Sequence, residues 1–212
     1  PGTPGPLNVQ FHAGESLYQQ RLGFVYTTPA GEHGTIRARN YYAWRDFGNL
    51  LPTLSQGIVD LQRDFVGGGV SYNYDGFWLD RPNRSVAGVD FDDQDDDRRR
   101  YDNQNGVKGP LSFDQNEHVK SYGVFLQNDL SISKRVQLSF GVRYDEVEFV
   151  VTDRYFANVS ASNPSGDDSG SKKFTNTSPM VGLTFQLTDK LNFYTTYSSA
   201  FETPTTTEFS VP

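Results

Sequence analysis

The sequence predicts an all-β fold of the antiparallel transmembrane β-barrel class, and three observations support this prediction. The first is a strict alternation of apolar and polar residues, clearest from Arg135 to Asp145, where Val136, Phe140 and Tyr144 share one side. A tilted strand of about 9–11 residues crosses a bilayer, whereas a soluble strand averages about five or six. The second is that such stretches recur about eight times. The third is that short and long connections alternate, as in outer-membrane barrels with short periplasmic turns and long extracellular loops.

The amino-acid composition argues against several classes of function. The 212 residues carry a net charge of −7, which argues against a nucleic-acid surface. There is no Cys, and the three His residues lack metal-site spacing, so we expect no metal site and no cofactor. Tyr and Phe, at 12 and 16 residues, suit strands and membrane interfaces. The mean hydropathy of −0.60 remains compatible with a barrel, because half of each strand faces the lumen. The first residues lack a signal-peptide pattern, so we expect the interior of a longer protein.

The first half of the chain predicts a Pro- and Gly-rich loop over residues 1–16 and then four strands. These strands are expected at Leu17–Thr27, Gly34–Arg45, Ile58–Tyr74 and Arg84–Asp92. In the second strand, Arg37 and Arg39 lie on one face, and Tyr42 and Trp44 lie on the other. An arginine on the lipid side near the midplane costs about 2–4 kcal/mol, so the arginine side is predicted to face the lumen.

The second half predicts four more strands, separated by connections of unequal length. The strands are expected at Val119–Ile132, Arg135–Asp145, Ser178–Leu187 and Leu191–Phe201. Long connections are expected over 46–57, 93–117 and 153–173, an intermediate one over 75–83, and short ones over 28–33, 133–134 and 188–190. A soluble sandwich has no reason to separate connection lengths so regularly.

The C-terminal part resembles the barrel of TonB-dependent outer-membrane receptors. The resemblance is carried by four segments, which are Ser121–Leu130, Val136–Asp145, Ser178–Phe185 and Leu191–Pro204. Its most specific feature is the ending, where a Thr-Asp-Lys turn is followed by a Tyr-x-x-Tyr strand and then by Ala-Phe-Glu-Thr-Pro. Residues 60–118 are similar but less distinctive, and residues 1–59 are assigned from the alternation alone.

This resemblance implies a 22-stranded barrel closed by an N-terminal plug, in the bacterial outer membrane. Residues 1–212 would then be about eight strands of the barrel wall, without the plug. The implied partners are the TonB–ExbB–ExbD system, acting through the plug, and outer-membrane lipid. The implied function is energy-coupled uptake of a scarce nutrient, with a ferric siderophore as the commonest cargo of the family. Vitamin B12, haem, copper chelates and glycans remain open, and no enzymatic activity is implied.

An acidic and basic run from Asp92 to Arg100 suggests a ligand-binding loop. By position, the candidate contacts are Asp95, Asp96, Asp97, Arg98, Arg99, Arg100 and Tyr101. Clustered carboxylates also suit calcium, although EF-hand spacing is missing. The alternative is a solvated loop whose charges pair with one another.

Two further groups of residues are expected to define the surfaces of the wall. Lumen-facing positions are predicted at Arg37, Arg39, Arg143 and Asp145, where the side chains line the channel, contact the plug or form cross-strand ion pairs. Membrane-interface aromatics are predicted at Tyr42, Trp44, Phe77 and Trp78, with ordinary sheet packing as the alternative. The segment from Phe201 to Thr207 is expected to be a structural turn into an extracellular loop.

Three other hypotheses remain open at this stage. A complete eight-stranded outer-membrane barrel with a structural or adhesive role requires the first and last strands to pair. A barrel enzyme requires a nucleophile and a base converging at the loop end, and no GxSxG motif is present. A soluble sandwich would form two packed layers and purify without detergent.

Overall fold

A computed structural model describes residues 5–156, 159 and 166–204. It contains one short helix, α1 (Pro6–Gln10), followed by eight strands. The strands are β1 (Gly14–Pro29), β2 (Gly34–Leu50), β3 (Ile58–Trp78), β4 (Arg81–Gln104), β5 (Val107–Ser133), β6 (Val136–Asp153), β7 (Gly170–Thr188) and β8 (Leu191–Ser198). The N-terminal segment predicted as loop therefore contains α1 and the start of β1, while residues 1–4 lie outside the described part. No helix in the described part is long and apolar enough to cross a membrane.

The eight strands form one antiparallel sheet in the order β1 to β8, and each strand pairs with its neighbours in sequence. Within the described residues β8 does not pair with β1, so the sheet does not close on itself. The hypothesis of a closed eight-stranded barrel is therefore wrong for this part of the chain. The single layer also contradicts the soluble sandwich, which needs a second sheet.

The two faces of the sheet have opposite chemistry, as the alternation predicted. We call the face that carries Leu22, Val124 and Val142 the apolar face; these side chains are 75%, 56% and 43% exposed. We call the face that carries Arg39 and Arg143 the polar face. Among the described residues, the only buried apolar side chains are Ile58 and Phe149, whereas seven polar or charged residues are buried. This inverted arrangement fits a sheet whose apolar face contacts lipid rather than water.

The height of the apolar face matches a bilayer. On β5 it extends from Tyr122 to Ile132, interrupted by Asn128, and the next residue of the same face beyond Tyr122 is Lys120. Ten steps of about 3.3 Å, tilted by about 45°, rise by roughly 23 Å. The apolar band of an outer-membrane barrel is about 25 Å tall, so this stretch is long enough to cross it.

The connections are mostly segregated by length, as predicted. We call one end of the sheet the short-turn end, because residues 30–33, 79–80, 134–135 and 189–190 connect the strands there. The opposite end, which we call the far end, carries the connections 51–57, 105–106 and 154–169. Residues 157–158 and 160–165 of the last connection lie outside the described part.

Two predicted connections are wrong, because hairpins occupy them. The charged segment 93–117 is not a loop: β4 continues to Gln104, β5 begins at Val107, and only Asn105 and Gly106 turn the chain. Both turn residues have positive φ, 54° and 86°, as the favoured two-residue hairpin turn requires. The segment 75–83 is likewise a hairpin, turning at Leu79 and Asp80.

Candidate functional site

A group of four charged residues crosses the polar face in the middle of the sheet. Arg39 on β2 donates to Asp90 on β4 at 2.7 Å, and Arg143 on β6 donates to the same carboxylate at 3.0 Å. Arg143 also bonds Asp145 at 2.8 Å. We call Arg39, Asp90, Arg143 and Asp145 the central charge band. It links three strands that are far apart in sequence.

Glycines make room for this band. Gly69, Asp90, Gly123 and Asp145 occupy paired positions on β3 to β6 and share the polar face. A Cβ added at Gly69 would strike the Asp90 carboxylate, and one added at Gly123 would strike the Arg143 guanidinium. The charged side chains can therefore lie flat across the sheet because their neighbours have no side chain.

Closer to the far end, the polar face carries buried ion pairs. Arg63 on β3 holds Asp96 with two bonds, at 2.7 and 2.5 Å, and the Asp96 side chain is only 2% exposed. Arg98 pairs with Glu117 at 3.3 Å. Arg100 donates to Gln56 at 3.1 Å, and burial together with the charge of Arg98 lowers the pKa of its guanidinium. This end of the polar face is thus strongly charged and partly desolvated.

A recess with an excess of positive charge adjoins these pairs. It has a volume of about 160 Å³ and is lined by Gln19, Arg21, Ala43, Arg45, Arg63, Phe65 and Gln94. We call it the arginine recess. Arg45 donates to the neutral amide oxygen of Gln19 at 2.9 Å. The Arg21 side chain has no hydrogen bond or ion pair with any residue in the described part of the chain.

Comparison with known proteins identifies the family. The sequence model of one protein family, described as TonB dependent receptor-like, β-barrel, matches residues 2–211 of this chain. The chain belongs to the TonB-dependent receptor β-barrel family. This family consists of transporters and receptors of the bacterial outer membrane rather than of enzymes.

Solved structures show the same fold at low sequence identity. The siderophore receptor PiuA from Acinetobacter baumannii matches with a TM-score of 0.71 and 12% identity over 89% of this chain and 33% of its own. The ferric-catecholate import receptor Fiu from E. coli K12 matches at 0.70 and 11%, over 87% and 35%. The copper transporter OprC matches at 0.70 and 21%, over 95% and 33%. The chain therefore spans about a third of each of these structures.

In this receptor barrel, the predicted ligand residues lie on a strand and divide between two faces. Asp96, Arg98 and Arg100 are on the polar face. The remaining four, Asp95, Asp97, Arg99 and Tyr101, are on the other face, beyond the apolar band. The prediction that these residues form a loop is wrong, because β4 continues through them.

The four residues beyond the apolar band have partners within the chain. Asn116 donates to Asp95 at 2.8 Å, and Lys108 lies 4.2 Å from the centre of the Tyr101 ring. Asp97 accepts from Arg99 and Arg154, at 3.3 and 2.8 Å. These four side chains are thus paired within the chain, and ligand binding by them stays a prediction. Within the described residues, no group of three His, Asp or Glu side chains could hold a metal ion.

The predicted lumen-facing residues all lie on the polar face. Arg39 and Arg143 meet through Asp90, and Asp145 bonds Arg143. Asp90 was not among the predicted site residues, although it shares the polar side of its strand. Arg37 lines one recess with Arg39 and Asp90, and a second recess nearer the short-turn end that Thr35 and Asn73 also line. The arginine recess was missed as a site, because pairing between strands, rather than spacing along one strand, brings its arginines together.

Three of the four predicted interface aromatics lie on the apolar face. Tyr42 and Trp44 lie on the apolar face near the far end, where Tyr42 donates to Asp64 and Trp44 meets Tyr18 edge-to-face at 5.5 Å. At the short-turn end, Phe77 and Trp78 are consecutive on β3, so alternation places them on opposite faces. Trp78 is on the apolar face. Phe77 lines a polar recess with Asp75, Arg84 and Asp129, so its assignment to the membrane interface is wrong.

Proposed function

We propose that this chain is part of the wall of an outer-membrane TonB-dependent transporter for a scarce nutrient, with a ferric siderophore as the cargo. The observation that carries the proposal is the family match over residues 2–211, combined with a sheet whose apolar side chains are exposed on one face. Two of the similar structures, a siderophore receptor and a ferric-catecholate import receptor, favour iron chelates. A third, a copper transporter, shows that related barrels carry other metals.

The residues have distinct roles in this proposal. The apolar face contacts lipid, and the aromatic side chains of Tyr42, Trp44 and Trp78 lie near its two edges. The polar face lines the lumen, where the central charge band holds three strands together without projecting side chains into the channel. The far end is extracellular, and the buried ion pairs around Asp96 and Glu117 give it a fixed, charged inner surface that a ligand meets first.

The rest of the transporter lies outside this chain in the proposal. All of residues 1–212 belong to the barrel domain, and the plug comes from another part of the longer protein. Ligand captured at the far end passes the polar face when TonB, energised by ExbB and ExbD, rearranges that plug. No covalent chemistry is required of the wall.

Uptake by the complete reading frame tests this function. The full-length protein is expressed in an iron-limited strain that lacks its own siderophore receptors, and radiolabelled iron is supplied on a panel of siderophores. We expect uptake from at least one siderophore, and we expect it to disappear in a matched strain without TonB. Uptake that persists without TonB contradicts energy coupling. Transport of copper but of no ferric siderophore contradicts the cargo while keeping the transporter.

A further inference from the structure

The pairing of β2 with β3 places two arginines directly opposite each other. Arg45 and Arg63 are partners in the register and share the polar face. Like charges in this position destabilise a sheet. Arg21, on the adjoining strand, lines the same recess.

Nearby acids neutralise only one of these three arginines. Asp96 engages Arg63 through both carboxylate oxygens. The Arg45 guanidinium bonds only the neutral amide of Gln19, and the Arg21 guanidinium has no partner among the described residues. No acidic residue lines the recess, so two positive charges remain uncompensated there. By contrast, Arg39 and Arg143 in the central charge band share two acids between them.

We propose that the arginine recess binds an oxyanion, a carboxylate or phosphate group carried by the transported ligand. Guanidinium groups bind such groups with paired, charge-assisted hydrogen bonds. The volume of about 160 Å³ is below the ~300–1,000 Å³ of a pocket that encloses a whole ligand, so the recess holds one anionic group. Phe65 supplies an apolar wall, and Gln94 adds an amide.

This proposal names a class of ligand for the proposed transporter, namely one that carries an oxyanion. It rests on the proposed function in one respect, which is that the ligand passes along the polar face. The repulsion between Arg45 and Arg63 also lowers the stability of the sheet, and locally unfavourable contacts of this kind are common at binding sites. A purely structural role for Arg45, holding Gln19 in place, makes the opposite prediction for stability. The two roles can therefore be separated by one substitution measured in two ways.

The experiment uses the purified full-length protein in detergent, with malonate and inorganic phosphate as separate probes in binding titrations. We expect Arg45→Gln and Arg21→Gln each to weaken binding of the preferred probe by about tenfold or more, because each loses charge-assisted bonds. Arg37→Gln is the matched control: it removes another lumen-facing arginine outside the recess and should leave binding unchanged. The preferred probe then distinguishes a carboxylate ligand from a phosphate ligand.

Stability provides the second measurement. Arg45→Gln should raise the unfolding temperature of the full-length barrel, because it removes the repulsion from Arg63. The proposal is overturned if neither probe binds the unaltered protein, if Arg37→Gln weakens binding as much as Arg45→Gln, or if Arg45→Gln lowers the unfolding temperature without changing binding. Failure to transport iron, with intact binding of a probe, would refute the cargo and leave this site in place.

Discussion

Arg143 reaches Asp90 across an intervening strand, and its guanidinium passes directly over Gly123. The bond measures 3.0 Å, and the register pairs Asp90 with Gly123 and Gly123 with Asp145. The contact therefore depends on the absence of a side chain on β5 at this level. The glycines of the polar face thus leave room for the charged side chains beside them.

Replacing Gly123 by alanine should destabilise the barrel. The added Cβ would collide with the Arg143 guanidinium and displace it from Asp90. We expect a loss of about 1–2 kcal/mol, because the bonds are charge-assisted but partly exposed. Denaturant unfolding of the full-length protein in detergent measures this loss. Gly23→Ala is the control: its added Cβ would meet nothing closer than 3.9 Å, so an equal loss in both variants would contradict the account.

Asp90→Asn should cost more than removal of an exposed acid at the short-turn end. Asp90 accepts bonds from Arg39 and Arg143 and is 17% exposed, so both guanidiniums lose their shared charge partner. The expected cost is about 1–3 kcal/mol. The matched variant, Asp75→Asn, breaks a pair with Arg84 whose side chains are 65% and 68% exposed. It should cost clearly less than Asp90→Asn, because solvent screens an exposed pair. Equal costs in urea unfolding would show that the central charge band has no special role.

Asn103 bonds three segments at the far end, and we expect it to stabilise the contacts between them. Its side chain is fully buried, donates to the carbonyls of Phe11 and Leu51, and accepts from the amide of Gly106. Asn103→Ala should leave these groups unsatisfied, at about 1–3 kcal/mol each where they stay buried.

Hydrogen exchange provides the measurement for Asn103. Amides of residues 51–57 should exchange faster in Asn103→Ala, while those at the centre of β5 should not change. Gln104→Ala, which removes the exposed neighbouring side chain, should have no effect. Unchanged exchange over 51–57 in Asn103→Ala would contradict this role.

Two neighbouring arginines of β4 should differ in their effect on uptake. Arg100 lies on the polar face, next to Gln56 and 5.3 Å from the centre of the Phe113 ring, whereas Arg99 lies on the other face with Asp97 and Asp114. If ligand passes along the polar face, Arg100→Gln should raise the KM for uptake several-fold. Arg99→Gln should leave the KM within about twofold. A larger effect from Arg99 would place the ligand on the wrong face.

The sequence predicted the strands well because one physical signal repeats along them. The alternation around Val124 and Val142 required one apolar and one polar face, and glycines such as Gly123 fell on the polar side. The connections were harder. The charges from Asp93 to Glu117 concealed a hairpin, although Asn105-Gly106 is a strong turn signal. Polar residues on both faces remove the alternation where a strand extends beyond the apolar band, so composition resembled that of a loop.

The candidate site was less predictable, because it depends on register. Nothing within β2 or β3 alone places Arg45 opposite Arg63, or brings Arg143 to Asp90 across β5. Pairing along the whole sheet creates these relationships. The error at Phe77 has the opposite origin: applying the two-residue period to Phe77 and Trp78 would have placed them on different faces.

The orientation of the sheet in the membrane is the central claim, and the cysteine-free chain allows a direct measurement. Single cysteines at positions 120–127 of the full-length protein, with any cysteine elsewhere replaced, are spin-labelled and reconstituted in lipid. Collision rates with oxygen, which concentrates in lipid, and with a water-soluble nickel complex are then compared. The account predicts high oxygen access at 122, 124 and 126, low access at 123, 125 and 127, and a change to nickel access at 120. Equal access at odd and even positions, or oxygen access at the odd ones, would contradict it.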